Sequence, residues 1–124
     1  MAGATEADSV REQAALAAAC RALDHWCVPE ADQARLLMLD RGELASARAR
    51  SGSVSTVTSM RASYILGIFG DLEILLPDPE IADAWIRRRN DAPLFGGRSA
   101  LDLMLEGEEG LRAVRRYLAA QTGR

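Results

Sequence analysis

An all-α fold is predicted for this 124-residue chain from three observations. Its 60 hydrophobic residues include 22 Ala and 16 Leu against ten Val or Ile, a mixture that favours helix over strand. Apolar residues recur at steps of three and four, the period of one helix face. Ser, Asp, Pro and Gly fall where helices start and stop. The length suits one ordinary domain or two very small ones, and is too short for a (β/α)8 barrel or a full dinucleotide-binding enzyme.

Taken in order, Ser9-Val10-Arg11-Glu12 has the spacing of a capping box, so a first helix is expected to begin at Val10. Its stripe is Leu16, Cys20, Leu23 and Cys27, and Pro29 ends it. Pro29 then opens a second helix that runs to about Leu39. Asp40 caps a short third helix that closes near Ser51-Gly52, and the polar stretch Ser51 to Ser59 is the one candidate linker, whose Ser and Thr residues could equally cap a fourth helix. The series Val57, Met60, Tyr64, Ile68, Leu72, Leu75 marks the longest helix, stopped by Pro77-Asp78-Pro79. Asp78 caps a fifth helix carrying Ile81, Ala82, Trp85 and Ile86, which frays through Arg87 to Asn90. Ala92 to Gly97 is loop, Ser99 caps Ala100 to Glu106, Gly107 ends that helix, and a last one spans about Glu109 to Gln121.

The charge and composition exclude several kinds of chemistry. A net charge of −3 describes neither a polyanion nor a wholly basic nucleic-acid binder. All fifteen cations are Arg, which removes a Schiff-base lysine, a pyridoxal-phosphate site and a Walker A lysine. Cys20 and Cys27 lie seven apart, about 10.5 Å along a helix, too far for a disulfide, and read as two buried apolar thiols. Cys20, Asp24, His25 and Cys27 match no familiar zinc spacing, and His25, the one His, reads as a capping imidazole at a helix end. No catalytic constellation, metal site or cofactor site is expected. The longest apolar run, Ala14 to Cys20, is far short of the roughly 20 residues of a membrane span. The first residues lack the pattern of a secretory signal, so the expected location is the cytoplasm.

Ala34, Met38 and Leu44 reproduce the apolar skeleton of a helix-turn-helix, with Met38 at the turn where Gly is usual. The interval Arg35 to Arg61 holds five Arg against Asp40 and Glu43, a local +3 of the sort that phosphate neutralisation needs. On that basis Arg41, Ser46, Arg48 and Arg50 are the candidate DNA-binding residues. The bland alternative is an inherited trihelical fold with a solvated Arg face.

The C-terminal half carries a more specific pattern. Trp85-Ile86, Asn90, the stretch Leu94 to Gly107 and the segment Leu111 to Leu118 together resemble the toxin-binding domain of the Xre/MbcA/ParS antitoxin family. One departure is Ala100, where that family usually has Pro; Ser99 still caps, so the helix start is expected to survive. The resemblance implies an N-terminal Xre-like helix-turn-helix part, residues 1–55, followed by a helical toxin-binding part, residues 56–124. It also implies a non-enzymatic antitoxin that covers the active site of a RES-domain toxin, one that degrades NAD or transfers its ADP-ribose. Repression of its own operon through operator DNA is a further implication, and a stand-alone helix-turn-helix repressor is the alternative.

Within that domain Trp85, Phe95, Leu101, Met104, Val114 and Leu118 read as framework. Asn90, Arg98, Arg112, Arg116, Tyr117, Gln121 and Arg124 are the candidate toxin contacts, with Tyr117 and Arg116 foremost because Tyr and Arg dominate interface hot spots. Tyr64, Ile65, Ile68, Phe69, Leu72 and Leu75 cover more than one face of the longest helix, wider than one core stripe requires, which suggests a homodimer within a larger complex.

Overall fold

The structure is a computed structural model that describes residues 5–123. Those residues form seven helices: α1 (Glu6–His25), α2 (Glu30–Leu37), α3 (Arg41–Arg48), α4 (Thr56–Leu75), α5 (Pro79–Trp85), α6 (Ala100–Leu105) and α7 (Glu108–Thr122). The fold is all-α, with one isolated backbone bridge between Arg89 and Ser99.

The caps explain most of the boundaries. Asp40 and Glu43 close a reciprocal capping box at the head of α3, and Ser99 and Asp102 do the same for α6. Asp78 accepts from the Glu80 amide and Pro79 opens α5, while Ser55 caps α4. The first helix departs from expectation. It starts four residues earlier, at Glu6, because Thr5 and Asp8 form a capping box of their own and Glu6 and Asp8 place negative charge in the first turn. Ser9 and Glu12 fit the same motif, but nothing at Ser9 obliges a helix already under way to begin again.

Helix α1 ends at His25 with Trp26 as its cap, and Cys27 turns into the left-handed region at φ 57. That turn carries Cys27 out of the apolar stripe to an exposed position, whereas Cys20 stays buried, so only one of the two thiols is a core residue. Burial raises the Cys20 thiol pKa.

The turn between α2 and α3 is built without glycine. Met38 takes φ 60, ψ 44 at the end of α2 and leaves its side chain 60% exposed. What holds this turn comes from α4. The Thr58 hydroxyl donates to the Leu37 carbonyl at 2.7 Å, and the buried Arg61 guanidinium donates to the Leu36 carbonyl at 3.2 Å. These bonds satisfy the last carbonyls of α2 and set a cation against its negative end.

Helix α4 is the spine of the molecule. It packs against α1 on one side and α7 on another, with α5 and α2 touching it and α6 seated between α7 and α2. Ile65, Ile68 and Leu72 are buried in it, and Tyr64, Phe69 and Leu75 are partly covered. Its wide apolar surface is therefore used by neighbours within the chain, and no second copy is required to explain it. Buried residues from Leu16 to Leu118 form a single cluster, so the two segments divided near residue 55 share one core.

Candidate functional site

Residues 86–99 form a loop closed by backbone bonds. The Asn90 amide donates to the Arg98 carbonyl at 3.0 Å and the Gly97 amide to the Asn90 carbonyl at 2.8 Å, while the Leu101 amide reaches the Ile86 carbonyl at 2.9 Å. Asn90 also accepts the Ala92 amide on its side-chain oxygen at 2.9 Å. Its side-chain oxygen thus helps to shape the loop. Gly96 and Gly97 both adopt positive φ, which lets the chain reverse and drive Phe95 into the core.

Phe95 meets Tyr117 of α7 edge-on at 5.1 Å between ring centroids, and Trp85 stacks on Tyr117 at 6.5 Å. Tyr117 is half-buried in this cluster, so much of its ring is framework. Beside it Trp85, Gln121, the α4 residues Leu72 and Leu75 and the cap residue Leu76 line a small hollow of about 190 Å³. Leu101, Met104, Val114 and Leu118 are buried as expected of framework, and Trp85 is half-buried.

Arg112 and Arg116, four apart on α7 and both exposed, form one outward stripe. Tyr117 and Gln121, also four apart, form a second stripe roughly 100° around the helix. The described members of the proposed contact set are thus divided among surfaces. Arg98 pairs with Glu106 at 2.7 Å, and each holds the other charged, the arginine pKa raised and the carboxyl lowered. Both groups are exposed, so this pair is readily exchanged for another partner. Arg124 lies outside the described residues.

Two features that sequence reasoning missed position α7. Asp71 is wholly buried in α4 and pairs with Arg115 at 2.8 Å. The arginine reaches it across Gly67, where a Cβ would collide with the Arg115 guanidinium. Near the start of α7, Gly110 lies against the Leu103 carbonyl of α6 with no room for a Cβ. The signal available in sequence was a carboxylate inside the apolar series Ile68, Leu72, Leu75.

The N-terminal candidates are differently placed. Arg48 turns back from α3 and donates to both carboxylate oxygens of Asp24, at 2.8 and 2.9 Å, and to the Gln33 side-chain oxygen at 2.5 Å. Gln33 is itself buried and bonds Asp24 and the Val28 carbonyl. The Arg48 bonds hold the Asp24 carboxyl below its usual pKa, and Asp24 in turn raises that of Arg48. Arg48 therefore links α1, α2 and α3, an intramolecular role that a DNA contact would have to displace. Arg41 is exposed and lies 3.6 Å from Glu30, Arg50 is exposed just beyond α3, and Ser46 is half-buried. With Arg61 buried and Arg48 clamped, the local +3 is not all available to phosphate. The outward face of α3 carries Gly42 and Ala45, and its cap Ala49 is exposed beyond them.

Among the described residues no cluster of His, Cys, Asp or Glu could hold a metal ion, and no helix is long and apolar enough to cross a membrane. His25 ends α1 with Nδ1 3.8 Å from an Asp83 oxygen and its ring 5.8 Å from that of Phe69.

A family model described as the antitoxin Xre/MbcA/ParS C-terminal toxin-binding domain matches residues 71–124, from the buried carboxylate of α4 through α7. The chain is also similar to an uncharacterized protein, y4oB, of Sinorhizobium fredii. The two are 42% identical over 118 residues, which cover 94% of this chain and 90% of that one.

Proposed function

Since the chain belongs to the Xre/MbcA/ParS antitoxin family and carries its toxin-binding domain at residues 71–124, we propose that it neutralises a RES-domain toxin that consumes NAD, by lying over that toxin's active site. The coarser conclusion, an antitoxin of a toxin–antitoxin system, follows from the family itself. The observation that supports a toxin contact through this domain is the arrangement of the matched segment, while the RES-domain identity of the toxin rests on the family resemblance. The packed unit of α6, α7 and the aromatic-anchored loop presents Arg112 and Arg116 outward on one stripe and Tyr117 with Gln121 on the next.

Arginine suits this role. Its planar fork binds carboxylates in pairs and cannot lose its proton, so an outward stripe is matched to an acidic cleft mouth. The working location is the cytoplasm, where NAD is the toxin's substrate, and the antitoxin itself performs no catalysis. The test is growth rescue and co-purification with a co-expressed RES-domain toxin. Rescue by the intact chain, reduced when Arg112 and Arg116 are both replaced by Ala, is the expected outcome. A chain that neither binds nor rescues overturns the reading.

A second function, repression of its own operon, is favoured by the α2–turn–α3 geometry. Arg41 and Arg50 are the exposed cations beside that motif, so their double replacement should lower both DNA affinity and its salt dependence. Absence of binding to upstream DNA at low salt would leave the trihelical part with a structural role alone. A homodimer inside the toxin complex, which the packing of α4 does not itself require, stays a proposal read by light scattering of the purified complex.

A further inference from the structure

At the junction of α1, α4 and α5 lies a groove of about 400 Å³ that the α7 contacts do not use. Phe69, Pro77 and Pro79 contribute apolar lining, and Glu73, Asp83 and His25 stand among it. The local sequence is strongly one-signed: from Asp71 to Asp83 there are five carboxylates and no cation. Asp71 is buried against Arg115, but Glu73, Asp78 and Glu80 are exposed and Asp83 is partly so. Two large aliphatic residues of the same helices, Ile74 and Ile81, are 60% and 48% exposed. An apolar groove with an acidic surround favours a ligand that is apolar along its stem and positive at its tip.

We propose that this groove receives a cationic segment of the toxin, an arginine or lysine next to an aliphatic side chain. The proposal rests on the antitoxin reading and adds to it a second contact, of opposite charge to the arginine stripe of α7. Six of the eight lining residues fall within the matched toxin-binding segment, so the groove is continuous with the region that already implies a toxin. The chain's own basic run, Arg87 to Arg89, is a poorer occupant from a second copy. Arg87 donates to the Trp26 carbonyl at 2.8 Å, so one cation of the run is already engaged within the chain, and a photo-crosslink at position 73 separates the two occupants. Two contacts of opposite sign would also fix the orientation in which the toxin docks, since a reversed pose sets like charges together.

The experiment uses the full chain and its co-expressed RES-domain toxin. Glu73→Arg, alone and with Asp83→Asn, should weaken the complex by about tenfold or more and flatten its salt dependence. Far-UV circular dichroism verifies the fold of each variant, and Glu73→Arg changes an exposed side chain. A photo-crosslinking residue at position 73 should join the antitoxin to the toxin. Binding by folded variants within about twofold of the parent overturns the groove and leaves the antitoxin reading standing. So does a crosslink to a second antitoxin copy, or none in a complex that forms. A parent chain that binds no toxin removes the antitoxin reading and the groove with it.

Discussion

At the scale of single residues, three glycines in helices differ only in what surrounds the missing Cβ, and they should respond to alanine with different signs. Gly70 has nothing within 4 Å of that position, so Gly70→Ala should stabilise by up to about 1 kcal/mol through helix propensity. Gly110→Ala would drive a methyl into the Leu103 backbone carbonyl, which cannot move without shifting α6, and should cost about 1–3 kcal/mol or more. Gly67→Ala meets a side chain, but that side chain is the Arg115 guanidinium bonded to buried Asp71, and net destabilisation is again expected. Urea denaturation of the three variants reads all three signs. A second residue-scale prediction concerns acid. Because Arg48 depresses the Asp24 pKa, their interaction contributes stability above the unfolded carboxyl pKa, and loses it as pH falls through the lower folded value. Both side chains are at least a third exposed, so the contribution should be under about 1 kcal/mol. Denaturation of the parent and Asp24→Asn should differ less at strongly acidic pH than at neutral pH.

At the scale of elements, the final helix divides into a part that folds the domain and a tip that does not. Leu111, Val114 and Leu118 are buried, and Arg115 serves Asp71, so a chain ending at Gly107 should fail to fold. A chain ending at Ala120 loses exposed Gln121 and the Gly123 cap but no buried residue, and should keep its stability within about 0.5 kcal/mol while neutralising less well. Circular dichroism and growth rescue, measured on both truncations, check the division. Element identity was largely legible in the sequence: Asp40, Ser55, Asp78 and Ser99 cap the helices that their side chains suggest. The Ala100 departure has no visible cost, since the Ser99–Asp102 box supplies the start that Pro would otherwise favour. The start of α1 was not legible, because two capping boxes four residues apart both satisfy the local rule.

At the scale of the molecule, one core shared by the two segments predicts one unfolding transition. Trp26 is fully buried in the N-terminal segment and Trp85 sits in the aromatic cluster of the C-terminal one. Fluorescence of Trp85→Phe and Trp26→Phe variants, each compared with its own circular dichroism, should show coincident midpoints within each protein. Separated midpoints would mean that the boundary near residue 55 divides two independently folding units. The same shared core shows why an apolar helix surface wider than one stripe is ambiguous in sequence. Width reports that several neighbours cover α4, and only the packing shows that α1, α2, α5 and α7 are those neighbours.

The sequence by itself determined the helices, most of their caps, the framework residues of the C-terminal domain and the family to which that domain belongs. All of these depend on residues within a few positions of one another, or on a spacing that can be read along the chain. The tertiary structure alone decided which charges are free to meet a partner. Arg48 finds Asp24 at a separation of 24 positions, Arg115 finds Asp71 at 44, and Arg87 finds the Trp26 carbonyl at 61. An arginine looks the same in sequence whether it faces solvent or a buried carboxylate. Its commitment is a property of the packed helices, since the partner's distance is set by how α1, α3, α4 and α7 lie against each other.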